Sequence, residues 1–248
     1  MDPNVKLDLA DNRGEKELDK DRVKHYQAII GSLMYAALAT RPDISYAVAA
    51  LCRYNSCPFT SHMTAAKRVL QYLKATADFQ LHFNGNDNDN YGVVGFTDSD
   101  LASNSTDRKS QGGHVFLTCH DGGAISWQSR KQDLIAQSTL EAEYIACSEA
   151  SREARWLLQL QTDIRGSPSD ASPLPIYCDN QGTLTHITTG VIKARTMHID
   201  VCYLNSRDLH ACKIVDYSYV HTNKIAADIL TKALSKEKHT KFAKAMGL

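Results

Sequence analysis

Four carboxylates stand out by their position in the chain. Asp98 follows an apolar and aromatic run in Gly95-Phe96-Thr97-Asp98-Ser99-Asp100, and Asp179 follows another in Ile176-Tyr177-Cys178-Asp179-Asn180. Asp228 lies in Lys224-Ile225-Ala226-Ala227-Asp228-Ile229-Leu230-Thr231-Lys232. Each of these three has an ordinary structural use, because acids past strands form turns or cap helices and acids in a first helical turn favour the helix dipole. Glu143 is harder to explain that way. Ser138-Thr139-Leu140-Glu141 has the form of a capping box, which occupies Glu141, and Glu143 lies about 200° further round the helix. Helical counting places Glu143 above Ala146, Cys147, Ala150, Ala154 and Leu157, whereas Glu141 leads into Ser148, Arg152, Arg155 and Gln159. A carboxylate heading an apolar stripe is costly unless it is paired or bound to a cation, so metal chemistry is the first suspicion at Glu143.

The elements that must position these acids can be read from period and punctuation. Tyr91 to Thr97, Gly112 to Thr118 and Ala124 to Gln128 are rich in β-branched and aromatic residues and are separated by turn signals, which predicts an antiparallel meander. A long helix from Thr139 to about Thr162 follows, then a strand at Leu174 to Cys178 and a short helix. A further helix from about Met197 to Leu209, a strand at Lys213 to Val220 and C-terminal helices complete the order. That order, β-β-β-α-β-α-α-β-α, predicts an α/β fold with a mixed (α+β) sheet flanked by helices.

Upstream the texture is helical. His25 to Tyr54 reads as a helix pair broken at Arg41-Pro42-Asp43, since a residue before proline avoids the helical region. Thr60 to Ala75 places Ala66, Val69, Leu70 and Leu73 on one stripe and Lys67, Arg68, Gln71 and Lys74 on the other, either a solvated face or a nucleic-acid contact. The polar run Asn84 to Asn90 is taken as the border, giving an arm over residues 1–22, a helical segment over 23–85 and a second domain over 91–248.

Composition narrows the partners. The 248 residues are 43% hydrophobic and 23% charged, enough for a sizeable core. Lys plus Arg equal Asp plus Glu at 28 each, so nucleic-acid binding would rest on local patches, not on an overall positive field. Seven cysteines show no C-x-x-C pair or even framework and read as reduced, buried thiols of a cytoplasmic or nuclear protein. The longest apolar stretch, Ala28 to Ala39, falls short of the roughly 20 residues that span a bilayer, and the charged N-terminus does not read as a secretory leader.

Several of these motifs together resemble a known family. Tyr26-Gln27-Ala28-Ile29-Ile30-Gly31-Ser32-Leu33-Met34-Tyr35, Thr40-Arg41-Pro42-Asp43-Ile44 and Ala65-Ala66-Lys67-Arg68-Val69-Leu70-Gln71-Tyr72-Leu73 look like the end of a Ty1/copia reverse transcriptase, with a thumb- or connection-like role for residues 23–85. Asp107-Arg108-Lys109-Ser110, Ala124-Ile125-Ser126-Trp127, Glu141-Ala142-Glu143-Tyr144, Cys178-Asp179-Asn180-Gln181 and Ala227-Asp228-Ile229-Leu230-Thr231-Lys232 resemble the ribonuclease H domain of the same Pol polyprotein. The resemblance implies a ribonuclease H-like fold in which Asp98, Glu143, Asp179 and Asp228 hold two Mg²⁺ ions, with Mn²⁺ as a substitute. Such ions, roughly 3.5–4 Å apart, would activate water and stabilise the leaving 3′ oxygen during hydrolysis of RNA in an RNA/DNA hybrid, leaving a 5′-phosphate and a 3′-hydroxyl.

The same resemblance implies that His221 is a mobile proton carrier. It also makes Arg108, Lys109, Ser110, Arg130, Lys131, Asn180 and Arg195 candidate contacts to RNA 2′-hydroxyls and to phosphates. The remaining Pol polyprotein would be a further partner, and a virus-like particle in the cytoplasm, or the nucleus, the place of action. Leu101, Gly182 and Ala233 depart from the family's usual residues without touching a proposed ligand. No Asp-Asp pair occurs, so the Y-x-D-D polymerase signature is absent and DNA synthesis by this segment is not expected. An integrase-type nuclease would need a Glu at moderate distance after Asp179, but the next one is Glu237. A module that binds hybrid or structured RNA without cleaving it is the alternative.

Overall fold

The computed structural model describes residues 7, 14–83, 92–119, 122–165, 173–189 and 204–248. Three helices, α1 (Lys20–Ala39), α2 (Ser45–Cys52) and α3 (Thr60–Ala75), come first. Pro42 opens a short 3₁₀ turn (Pro42–Ile44) between α1 and α2, so the break read from Arg41-Pro42-Asp43 is a tight corner. Asp19 caps α1 by accepting from the Arg22 N–H at 3.0 Å.

These helices bury their own core of Tyr26, Ile30, Leu33, Val48, Leu51, Met63, Ala66 and Val69. Leu70, expected on that buried stripe, is 40% exposed, while Ala66 and Val69 are buried. Most described residues of the expected solvated arm, from Gly14 to Arg22, are exposed, and Leu7 departs from that expectation. Leu7 is buried in the helical core, its carbonyl lies 3.1 Å from His62 Nε2, and Glu17 forms a single antiparallel bridge with Phe59.

The rest of the described chain is built on a five-stranded sheet in the order β3-β2-β1-β4-β5. The strands are β1 (Val94–Asp100), β2 (Gln111–Leu117), β3 (Ala124–Lys131), β4 (Leu174–Cys178) and β5 (Val215–Tyr219). β1, β2 and β3 form the expected antiparallel meander, while β4 runs parallel to β1 and β5 parallel to β4. Between the strands come α4 (Thr139–Arg165), α5 (Gln181–Thr189) and α6 (Asn205–Ala211). A 3₁₀ helix (Ala226–Leu230) and α7 (Lys236–Ala245) follow β5. The mixed sheet and the order of elements agree with the reading from sequence. Of the helix expected from Met197, residues 197–203 lie outside the described residues.

Period-2 alternation along β1 gives the sheet two dry faces. Val93 joins Phe116, Ile176 and Cys178 against the Tyr144, Cys147, Ala150, Ala154 and Leu157 stripe of α4. Val94 and Phe96 point the other way, to Ile225, Ala227, Leu230 and Phe242. The α4 stripe is the one expected from helical counting except that Tyr144, not Ala146, joins this cluster, with Glu143 at its head.

The helical unit docks on the edge of the sheet. Trp127 Nε1 donates to the Ala37 carbonyl at 2.8 Å, Arg53 to the Gln111 side chain, and His239 Nε2 lies 3.1 Å from the Asp43 carbonyl. The described cysteines are free thiols, as expected, but Cys57 and Cys212 are exposed, since one sits in the α2–α3 turn and the other caps α6. Cys202 lies outside the described residues.

Candidate active site

Asp98 lies on β1, and Asp179 directly follows the neighbouring parallel strand β4. Phe96 pairs with Tyr177, so Asp98 and Asp179 each stand two residues beyond one matched pair. Adjacent strands are about 4.8 Å apart and residues two apart share a face, so register alone brings the two acids side by side. Asp98 does not close its strand as expected, because β1 continues to Asp100.

Asp228 arrives from the far side of the sheet on the 3₁₀ helix, which packs over β1 and β2. The approach is close enough that a Cβ on Gly113 would sit 2.7 Å from Leu230 Cβ. Glycine is therefore the residue that β2 can carry there. Glu143 reaches the same edge from the α4 side, where its Oε1 accepts from the Ser99 N–H at 3.2 Å. The α4 start keeps one half of the expected capping box, the other bond being moved to the residue before the N-cap. Ser138 Oγ accepts from the Glu141 N–H at 3.2 Å, and Glu141 in turn accepts from the Gln137 N–H at 2.7 Å.

Asp98, Glu143 and Asp228 are buried, at 2%, 6% and 1% exposure, while Asp179 is half-buried. Ligand atoms of Glu143, Cys178 and Asp179 lie within 4.8 Å of one another. Thr222 Oγ1 donates to Asp179 at 2.7 Å, and Thr231 Oγ1 donates to Asp98.

The proximity of the acids is written into their electrostatics. The Asp98 pKa is raised to about 6, chiefly by burial, with Lys232 and the Thr231 hydrogen bond opposing and Asp228 and Asp179 adding to the rise. Burial, followed by the nearby Asp98, raises Glu143 well above the ordinary glutamate range. Burial also raises Asp100, which shares the face of β1 with Asp98.

The counter-charge comes from Lys232, whose Nζ pairs with Asp228 Oδ1 and lies 3.7 Å from Asp98 Oδ2. Burial opposes charge on this ammonium, but Asp98, Asp228 and Asp100 outweigh it and raise its pKa. Asp228 Oδ1 has no hydrogen-bond partner apart from that ion pair. Buried carboxylates close enough to raise one another's pKa suit a hard divalent cation with oxygen ligands.

Of the other sequence candidates, His221 is exposed on the loop after β5 and accepts from the Asn223 N–H at 3.2 Å, next to the Thr222 that holds Asp179. Arg108 and Arg130 are exposed and Lys109 and Lys131 half-buried, with Lys131 paired to Asp107 at 2.7 Å. All four lie at the sheet end that carries Asp98, because Asp100 pairs with Gln111 and Gln111 with Lys131.

Ser110 does not reach solvent. It is fully buried and its hydroxyl accepts from the Ala102 N–H at 3.2 Å, so its observed part is to tie the turn. Asn180 caps α5 by accepting from the Thr183 N–H at 3.0 Å. Arg195 lies outside the described residues.

Reading the sequence missed Lys232, Thr231, Thr222, Ser99 and Asp100. Lys232 had a signal, its i,i+4 spacing from Asp228, and Asp100 had the two-residue strand period from Asp98. The others act through contacts that no local pattern announces.

No family model matches the chain. It is 38% identical over 213 residues to the retrovirus-related Pol polyprotein from transposon TNT 1-94 of Nicotiana tabacum, covering 86% of this chain and 15% of the relative. Against the retrovirus-related Pol polyprotein from transposon RE1 of Arabidopsis thaliana it is 34% identical over 249 residues, covering 100% of this chain and 16% of the relative. The chain thus spans about a sixth of the length of these curated relatives. Among solved structures, the N-terminal RNase H domain of a Mycobacterium tuberculosis protein aligns at 14% identity with a TM-score of 0.42, covering 62% of this chain and 98% of that domain.

Proposed function

The chain belongs to the retrovirus-related Pol polyproteins of copia-type transposons, as one segment of them with a ribonuclease H-like fold, and from this premise we propose that it hydrolyses RNA in RNA/DNA hybrids endonucleolytically. The observation that carries the proposal is convergence. Asp98, Glu143, Asp179 and Asp228, far apart in sequence, meet at one end of the sheet, where burial and neighbouring acids raise the pKa values of Asp98 and Glu143. Residues 91–248 form the hydrolytic unit in this reading, and residues 23–85 the end of the preceding polymerase.

The acids divide the work by burial. Asp98 and Asp228 from one face and Glu143 from the other would hold two Mg²⁺ ions, with Mn²⁺ as a substitute, and Asp179 would share them from the half-open side that meets substrate. When bound, the ions supply a nucleophilic water and stabilise charge on the leaving oxygen. The chain itself supplies orientation. Ser99 N–H fixes Glu143, Thr231 fixes Asp98 and Thr222 fixes Asp179, so the carboxylates point inward before substrate arrives.

His221, one residue from Thr222, carries a proton to or from the leaving 3′ oxygen. Arg108, Lys109, Arg130 and Lys131, at the acidic end of the sheet, hold phosphates of the hybrid beside the acids. Selection for RNA comes from 2′-hydroxyl contacts at the same end. Among the described residues no helix is long and apolar enough to cross a membrane. The proposed setting is the cytoplasmic particle of the parent element or the nucleus, with the rest of the polyprotein as partner.

The test is cleavage of a labelled RNA/DNA hybrid with Mg²⁺ and with chelator, for the parent and for Asp179→Asn. The parent should cut only with the metal, and the variant should lose about 100-fold or more in rate, the size of a lost charge-stabilising ligand. Equal cutting by both would remove Asp179 from the site. Binding of hybrid without cutting by the parent would favour the silent RNA-binding module instead.

A further inference from the structure

Within the acid cluster one group is a cation that belongs to the chain. Lys232 Nζ reaches Asp228 Oδ1 and stands 3.7 Å from Asp98 Oδ2, so it sits between two of the carboxylates proposed above to ligate metal. Asp228 is 1% exposed at its side chain and Asp98 3%, whereas the Lys232 side chain is 34% exposed. The carboxylates are anchored and the lysine is not. Thr231 grips Asp98, and the 3₁₀ helix is wedged against Gly113, but the lysine stem has open solvent on one side.

We propose that Lys232 is a built-in counter-cation, which neutralises the cluster while no divalent ion is bound and must swing outward to admit one. The inference rests on the reading of this cluster as a divalent-metal site. Its physical basis is exclusion: an ammonium in contact with Asp228 Oδ1 fills the position from which that oxygen could reach a metal, and two cations cannot share it without strong repulsion. A metal ion therefore binds in exchange for the lysine head group, and part of its affinity is spent on displacing it. Lys232 is a positioning residue in this scheme, since it acts through Asp98 and Asp228 and not on the substrate.

Two measurements test this, neither of them an activity. Calorimetric titration of Mg²⁺ into the full chain and into Lys232→Met should show binding tightened by about tenfold or more in the variant. Lys236→Met, which removes an exposed ammonium on α7, should leave affinity unchanged. Equal or weaker binding by Lys232→Met would overturn the role of Lys232 alone. Absence of Mg²⁺ binding in both proteins would overturn the metal reading and this inference together.

Should Lys232→Met not fold, the parent decides the matter through reductive methylation read by mass spectrometry. The Lys232 amine should react slowly without metal and several-fold faster with Mg²⁺, while Lys236 reacts alike in both. A Lys232 rate that Mg²⁺ does not raise would overturn the proposal.

Discussion

Asp98 keeps its proton up to about pH 6 because burial, and then Asp228 and Asp179, disfavour its charge. The consequence for stability has a definite sign. As pH rises past the ordinary aspartate value the unfolded chain gives up this proton while the folded chain retains it, so stability falls up to about pH 6 and stays lower above it. His114, buried in β2, works in the opposite direction. Its pKa is lowered to about 4, first by burial and then by Arg152, so the folded chain refuses a proton that the unfolded chain accepts and stability rises over pH about 4 to 6.5. Glu143 and Asp100 are raised in the same direction as Asp98, so urea denaturation of the metal-free parent should show stability falling from pH 4.5 to 6.5, and His114→Gln, which removes the opposing contribution, should fall more steeply. A variant slope equal to the parent's would refute the opposition. At this scale the chemistry was partly legible: Glu143 betrayed itself as an acid on an apolar stripe. The company it keeps with Asp98 was not, because 44 residues of intervening chain carry no pattern that states where they return.

The 3₁₀ helix that carries Asp228 depends on a glycine in a strand it does not touch in sequence. Gly113→Ala would place a methyl group 2.7 Å from Leu230 Cβ and 3.0 Å from Thr231 Cγ2, so the segment must move. The expected cost is about 1–3 kcal/mol of stability by overpacking, together with loss of hybrid cleavage out of proportion to it, since Asp228 and Thr231 shift with the backbone. Denaturation midpoints and cleavage rates measured on the same preparation check both; a stable and fully active variant would show that the approach is not constrained. Asn180→Ala should cost about 1 kcal/mol by uncapping α5, seen as a lower thermal midpoint. Helix and strand identities were legible because their periods, 3.6 and 2, are local. Strand ends were less so: β3 runs on to Lys131, past the expected Gln128, because pairing with Gln111 and Gly112 extends it.

Across the whole molecule, the helical unit is fastened by a buried charge and by its contacts with the sheet. Asp43 accepts from Arg41 Nε at 2.9 Å and Nη2 at 2.7 Å and from Tyr72 Oη at 2.6 Å, at the corner where the α1–α2 turn meets α3. Asp43→Ala would leave Arg41 buried without its partner, with a cost of about 3–5 kcal/mol in chemical denaturation. Trp127→Phe should loosen the docking of α1 on β3 by about 1 kcal/mol, read as faster hydrogen exchange in α1 than in β1. Unchanged exchange in α1 would mean that other contacts hold the two units. By itself the sequence determined the element order, the sheet-facing stripe of α4, the oddity of Glu143 and, through its motifs, the resemblance to copia-type Pol polyproteins. All of these are written in short-range spacing or in strings of residues that survive as strings. Only the tertiary structure decided that β1 and β4 are parallel neighbours, that Asp98 and Asp179 therefore stand abreast, and that Lys232 occupies the middle of the acids. Parallel strands meet only after a crossover, and a charge finds its partners by direction and distance in space, neither of which has a period along the chain.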